Sequence, residues 1–341
     1  MQTLRRLVTI SIKAALFYSG AFAVHRRLHP SSEVAILRYH SVQRLEQNFY
    51  ASPSIALSPE DFERQVRYFV KRYNVISMDI VVTCLKERRP FPENAILFTF
   101  DDGYADNYYA YQILKKYGVT GTFYLVAGCI GNEQPLWLAE VHQLIRFMSR
   151  KRFEIAVDGM TRQYILNGES SSVFRVIGQV TWLIKSYDLQ RRERILQQLR
   201  EQLTDGKCRS QMPFTSTPVM LTWEQVREMV HHGMTIGGHT MTHANLPSAK
   251  PESAYEEIFQ CKRVLEEKLG VAVHHFSYPN GGCDQYFNDI IQGYVQRAGF
   301  LSATTSKEGH VALTSNPLAL PRVRTGRELY DIAYRLDVDR E

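Results

Sequence analysis

The strongest constraint on this chain is an alternation of short apolar runs with amphipathic segments. Ala95-Ile96-Leu97-Phe98-Thr99-Phe100, bounded by Pro92 and Gly103, lacks the two-residue alternation of a half-exposed strand. Such a run suits a strand covered on both faces, as strands are in parallel sheets with helical crossovers. The same punctuation recurs on both sides of it. Residues 34–39 read as a first strand ending at His40. Ser58-Pro59-Glu60-Asp61 then supplies an N-cap, a proline at the first helical position and first-turn acids for a helix to about Arg72. A short strand at 75–77 precedes a helix at 79–87, and a helix at 106–117 leads through Gly118 to a strand over 120–126.

Residues 133–216 break this rhythm. They are polar and read as an inserted helical subdomain, with the charge run from Arg191 taken as a solvated helix face. Alternation resumes at Thr222-Trp223-Glu224-Gln225, a capping box that starts a helix to His232. A strand at 234–238, a helix at 251–269, a strand at 274–277, a helix to Ala298 and strands at 300–304 and 318–323 complete the chain. Seven or eight strands, most with a partner helix, predict an α/β fold, and a (β/α) barrel fits better than an open sheet.

Charge separates the N-terminus from the rest. Of the net charge of +6, five units come from Arg5, Arg6, Lys13, Arg26 and Arg27, with no acid in residues 1–32, which leaves +1 for residues 33–341. A nearly neutral body has no basic stripe for nucleic acid, so nucleic-acid binding is not expected. Residues 7–24 are mostly apolar, interrupted by Lys13 and flanked by arginine pairs. A signal peptide with the small-residue site Ala21-Phe22-Ala23, a short membrane anchor, an amphipathic helix lying on a membrane surface and a plain core helix are all compatible with this stretch. In the amphipathic reading, Arg6 and Lys13 share a polar face opposite Leu, Ile and Phe. A basic, partly apolar leader suits anionic headgroups, which places the protein at a membrane in the cell envelope, or secreted if the leader is cleaved. Five scattered cysteines without a C-x-x-C spacing define no disulfide framework or cysteine zinc site.

Three motifs follow predicted strands directly, where barrel enzymes carry their chemistry. Thr99-Phe100-Asp101-Asp102-Gly103 ends an apolar strand in two carboxylates that point in different directions, so one can bind a cation and the other act as a base; Asp-Gly is also a common turn pair. His239-Thr240-Met241-Thr242-His243 places two imidazoles at i and i+4, on one face of a helical turn, where they can close on one metal. With a carboxylate they make a two-His, one-Asp set. That set suits zinc, or cobalt, nickel or manganese. Phe276-Ser277-Tyr278-Pro279-Asn280-Gly281-Gly282 holds a tight turn whose N–H groups can face an oxyanion.

In this order the three motifs resemble the polysaccharide deacetylase family, carbohydrate esterase family four. The resemblance runs from Val34-Ala35-Ile36-Leu37-Arg38-Tyr39-His40 to Leu320-Pro321-Arg322. It implies a distorted (β/α)7 barrel, here with a helical insertion, and metal-dependent removal of N-acetyl or O-acetyl groups from sugars. Carried over by motif, Asp101 is the general base, Asp102, His239 and His243 are the metal ligands, and Pro279 with the Asn280 N–H belongs to the oxyanion site. Two elements depart from the family. Its Arg-x-Pro-Tyr third motif is replaced by Ser277, Tyr278, Pro279 and Asn280, and its Leu-x-His motif is absent. Both losses match a branch that opens with a Tyr-His strand end and acts on exopolysaccharides. Arg322 is the candidate to pair with Asp101 in place of the missing arginine, and His40, ahead of His310, the candidate general acid.

The implied substrate is an N-acetylated amino sugar in an envelope glycan or lipid-linked precursor. A non-catalytic glycan-binding relative and an amidohydrolase for a small amide or formyl group are the alternatives. A free carboxylate beside the metal has no purpose in a binding module, which favours the enzyme. Trp137, Tyr104 and Tyr278 are candidates for sugar-stacking platforms or for the core.

Overall fold

The computed structural model describes residues 2–132, 134–147, 151–204, 218–281 and 286–340. Gly282, Cys208, Cys283 and residues 205–216 of the predicted insertion lie outside them.

Seven parallel strands close into a barrel: β1 (Val34–Tyr39), β2 (Ala95–Phe100), β3 (Gly121–Leu125), β4 (Thr235–Gly238), β5 (His275–Ser277), β6 (Ser302–Glu308) and β7 (Leu320–Arg324). Each strand pairs with the next, and β7 returns to β1 in the register Leu37↔Val323 and Arg38↔Arg324. The predicted extra strand exists as a two-residue spur. Asn74–Val75 pairs with Ala95 and Ile96, on the length of β2 that β3 leaves open by pairing only from Phe98 to Phe100.

Every residue of β2 is buried, as its uninterrupted apolar run requires. The Phe100 and Phe123 rings stack at 4.6 Å, and Phe62 of the Pro59–Val70 helix packs edge-on to Phe100 at 5.5 Å. That helix starts where the sequence marks it, with Ser58 Oγ accepting from Asp61 N at 3.1 Å. The Trp223–His231 helix carries the expected capping box. Gly237 makes room inside the barrel, since a Cβ there would lie 2.5 Å from the Tyr124 ring.

The segment between β3 and β4 is not uniformly helical. Helices Trp137–Phe147, Ser170–Lys185 and Leu189–Leu203 enclose an antiparallel hairpin of Arg152–Val157 with Met160–Ile165. Its turn residues Asp158 and Gly159 both have positive φ, the requirement of a type I′ turn. Phe153 and Ile155 are buried between exposed neighbours, and Phe153 stacks on Tyr164 at 5.1 Å.

The N-terminal residues pack on the body. Helices Gln2–Tyr18 and Ala21–Leu28 meet at Gly20, whose φ is +84°, and rest on a C-terminal helix, Leu329–Asp337, that sequence reasoning missed. Lys13 does not lie on an outward polar face: its Nζ is 2.9 Å from Asp331 Oδ1 and 4.0 Å above the Tyr334 ring. Ile12 and Leu16 are instead turned outward, 54% and 42% exposed. Arg26 is buried, donating from Nη1 to Asp337 Oδ2 at 2.8 Å and to Tyr73 Oη at 3.2 Å. Among the described residues no helix is long and apolar enough to cross a membrane.

Candidate active site at the C-terminal mouth of the barrel

The carboxylates of the first motif separate as chain direction changes at the end of β2. Asp101 still belongs to the sheet, its N–H donating to Tyr39 O at 3.1 Å, whereas Asp102 turns away with φ +80°. Both are buried. Arg322, 0% exposed on β7, donates from Nη1 to Asp101 Oδ1 and from Nη2 to Asp101 Oδ2, both at 2.7 Å. Its Nε donates to Thr305 O at 2.7 Å, which fixes the guanidinium plane. Burial alone would raise the Asp101 pKa, but the charge and paired hydrogen bonds of Arg322 outweigh it and hold the carboxyl well below the usual range. His40 faces the same group with Nε2 at 3.8 Å from Asp101 Oδ2, and it is 24% exposed.

Asp102 gathers the second motif. Its Oδ1 is 3.5 Å from His239 Nε2 and 3.4 Å from His243 Nε2, and the three ligand atoms lie within 4.8 Å of one another. Two ligands of a tetrahedral ion with bonds of about 2.0 Å are separated by about 3.3 Å, so the donor set and its spacing fit a divalent metal. Hydrogen bonding sets the donor atoms. A carbonyl oxygen only accepts, so the 2.7 Å contact between His239 Nδ1 and Ser277 O places the proton on Nδ1 and presents the Nε2 lone pair. Burial pushes His243 down to about 4, which leaves its imidazole neutral, the form that can bind a metal, at neutral pH.

The two histidines do not sit on a helical turn. Residues 239–243 form an irregular loop in which Thr240 and His243 have φ of +66° and +55°. Of the seven non-glycine residues with positive φ among the described residues, Asp102, Thr240, His243 and Asn280 are at this mouth. Strained backbone concentrated in this way is held by its surroundings. Arg192 Nη1 donates to Thr242 O at 3.0 Å and His243 O at 3.3 Å, and its Nη2 to Thr242 Oγ1 at 2.7 Å. Trp137 Nε1 donates to His243 O at 3.3 Å, and Glu257 accepts from Thr242 N and Oγ1 at 2.9 and 2.8 Å. Trp137 and Arg192 come from the segment inserted between β3 and β4, so that segment braces the ligand loop.

An open cleft of about 520 Å³ lies over these residues, lined by Asp101, Asp102, His239, His243, His40 and Asn280. Asn280 follows Pro279 in the turn after β5, with φ +60°, and its Nδ2 is buried with no hydrogen-bond partner among the described residues. His310 lies elsewhere, in a separate cleft with Lys13 and Arg335. The three candidate stacking aromatics are all buried: Trp137 and Tyr278 lie in the core, the Tyr278 hydroxyl donating to Leu318 O at 2.9 Å, whereas Tyr104 lies at the cleft, whose lining it joins.

A family model described as polysaccharide deacetylase matches residues 88–197 and 197–300, more than half of the chain. The protein YxkH of Bacillus subtilis (strain 168) is 20% identical over 295 residues, 86% of this chain and 71% of its own. Among solved structures, the Streptococcus pyogenes deacetylase PplD in complex with acetate aligns with a TM-score of 0.57 at 20% identity, over 90% of this chain and 99% of that one. IcaB from Ammonifex degensii aligns with a TM-score of 0.56 at 18% identity, over 90% and 98%. These structures share the fold, and the family model matches the sequence across the Asp-Asp and His-x-x-x-His motifs. The chain belongs to the polysaccharide deacetylase family, hydrolases that act on carbon–nitrogen bonds other than peptide bonds.

Proposed function

We propose that this protein removes N-acetyl groups from amino sugars of an envelope polysaccharide, of the exopolysaccharide kind, or of a lipid-linked glycan, using a divalent ion held by Asp102, His239 and His243. The observation that carries the reading is the two-point Arg322–Asp101 pair beside those three ligand atoms. It keeps a buried carboxylate anionic, oriented and unshared with the ligand set, as a general base requires. When bound, the ion, zinc by the nature of the donors, polarises the acyl carbonyl and acidifies water; cobalt, nickel or manganese suits the same donors. Asp101 takes the proton of the attacking water. The backbone N–H of Asn280, set by Pro279, donates to the developing oxyanion. His40 delivers a proton to the departing amine, which leaves poorly without one.

The catalytic unit in this reading is residues 33–341, and residues 1–32 serve to attach it to a membrane surface. Support comes from the outward Ile12 and Leu16 and the exposed Val24 and Leu28 beside the basic Arg27.

Acetate release by the full-length, metal-loaded protein from N-acetylated oligosaccharides and lipid-linked amino sugars is the direct test. Asp101→Asn is expected to lower kcat by about 10²–10⁴ with metal still bound, because it removes only the base. His239→Ala is expected to lose the metal, measured by elemental analysis, and the activity with it. Full activity in both variants would end this assignment.

A further inference from the structure

The wall of the cleft on the β1–β7 side carries more positive charge than the fold needs. Arg38 and Arg324 are register partners on adjacent parallel strands, and both line the cleft. Like charges at neighbouring positions on paired strands destabilise a sheet. Arg327, on the loop leaving β7, lines the same wall. The nearby carboxylates do not balance them. Asp101 is taken by Arg322; Glu308 is shared between Arg38 at 3.8 Å and Arg335 at 3.6 Å; Asp61 is shared between Arg64 at 2.9 Å and Arg327 at 2.8 Å. The Arg324 guanidinium has no carboxylate within ion-pair distance among the described residues.

The wall is also held in place. Thr325 Oγ1 donates to Arg38 O at 2.6 Å, and Gln65 Nε2 donates to Gly326 O at 2.7 Å and Arg327 O at 3.2 Å. Arg38 itself donates to Ser306 O at 3.2 Å, with only 13% of its side chain exposed. Burial, and then the neighbouring Arg322, push its pKa down to about 10, the direction expected of a cation short of counter-charge. Arg38 is held at the cleft wall and the exposed Arg324 and Arg327 guanidinium groups stand beside it on a braced backbone, a set that can receive a planar or tetrahedral oxyanion.

We propose that Arg38, Arg324 and Arg327 form an anion subsite and that the acetylated glycan taken by this enzyme carries a phosphate or carboxylate close to its acetamido sugar. This rests on the deacetylase reading of the same cleft. Neither phosphate nor carboxylate is singled out by the three guanidinium groups, so the substrates must separate them.

The full-length, metal-loaded protein is assayed for acetate release on three matched oligosaccharides: neutral N-acetylated, phosphorylated at the reducing end, and with a uronic acid as the neighbouring unit. At least one anionic substrate should exceed the neutral one about tenfold in kcat/KM, mainly through KM, with the advantage shrinking as salt is raised. Arg324→Gln combined with Arg327→Gln should collapse that ratio toward one. Equal kcat/KM on all three substrates, or a ratio that survives the double substitution, overturns the subsite. Calorimetric titration with N-acetylglucosamine 1-phosphate against N-acetylglucosamine reads the same wall without turnover. If no substrate releases acetate, the deacetylase reading fails. The titration still decides the subsite: preference for the phosphate that is lost in the double variant supports it, and equal binding or a preference that persists overturns it.

Discussion

Two buried arginine–aspartate pairs, one at the mouth of the barrel and one in the seam between the chain termini, show the same two side chains put to different ends. Arg322 grips Asp101 through both oxygens at 2.7 Å, and the carboxyl is held well below its ordinary range although burial opposes this. Arg26 reaches Asp337 through one contact at 2.8 Å, with the Tyr73 hydroxyl donating to the other oxygen at 2.8 Å. There burial wins, and the Asp337 pKa is raised. A paired guanidinium with its plane fixed outweighs the burial of its carboxylate, whereas a single charged contact plus a neutral donor leaves burial the larger effect. The first arrangement keeps Asp101 anionic and oriented at the cleft, as its proposed role as base needs. The second holds two helices together.

The comparison is broken most severely at the mouth. Arg322→Ala leaves the Asp101 carboxylate buried without its partner, and breaking such a pair by removing one side costs about 3–5 kcal/mol of stability. Urea unfolding should register that loss, and turnover of the surviving folded protein should fall with it. Near-normal turnover would show that Asp101 keeps its charge and orientation without the arginine. Arg322→Lys sharpens the same point, since an ammonium restores charge without the two-point geometry. It should recover part of the stability and little of the activity.

What could be foreseen follows from distance along the chain. Asp101, Asp102, His239 and His243 were legible because each sits directly after an apolar strand, so one short window contains both the strand and its chemistry. Arg322 was legible only indirectly, as the arginine that had to replace one missing from the third motif. It is 221 residues from its partner. The brace on the ligand loop had no signature at all. Arg192 reads as part of a solvated charge run and Trp137 as a stacking or core aromatic, and only folding brings them and Glu257 to Thr242 and His243. The hairpin at 152–165 did carry a local signal in Asp158-Gly159, but few buried residues mark its strands, and the surrounding polar helices masked it. Lys13 was misplaced for a related reason. Periodicity shows that a helix has two faces but does not say which one meets the body, and here Asp331 and Tyr334 took the lysine.

The seam pair is the milder break. Arg26→Ala also strands a buried carboxylate, but one already displaced toward its neutral form, so the loss in urea unfolding at pH 7 should be smaller than for Arg322→Ala. It should leave acetate release by the folded protein intact, because neither residue reaches the cleft.

Acid conditions then separate charge from packing in this variant. With Arg26 gone, the Tyr73 hydroxyl and the weaker Arg340 charge are left to oppose burial, so the folded-state pKa of Asp337 rises further above its unfolded value of about 3.9. A carboxyl shifted in that direction binds its proton more tightly in the folded protein. Stability is therefore present in full below the unfolded pKa and is lost as pH climbs through the folded one. The gap between Arg26→Ala and the unaltered protein should accordingly narrow as pH is lowered from 7 toward 4. A gap that stays constant over that range would mean that the substitution acts through lost packing of the arginine stem on the Tyr73 ring, whose centroid lies 4.7 Å from the guanidinium carbon, and not through the stranded charge.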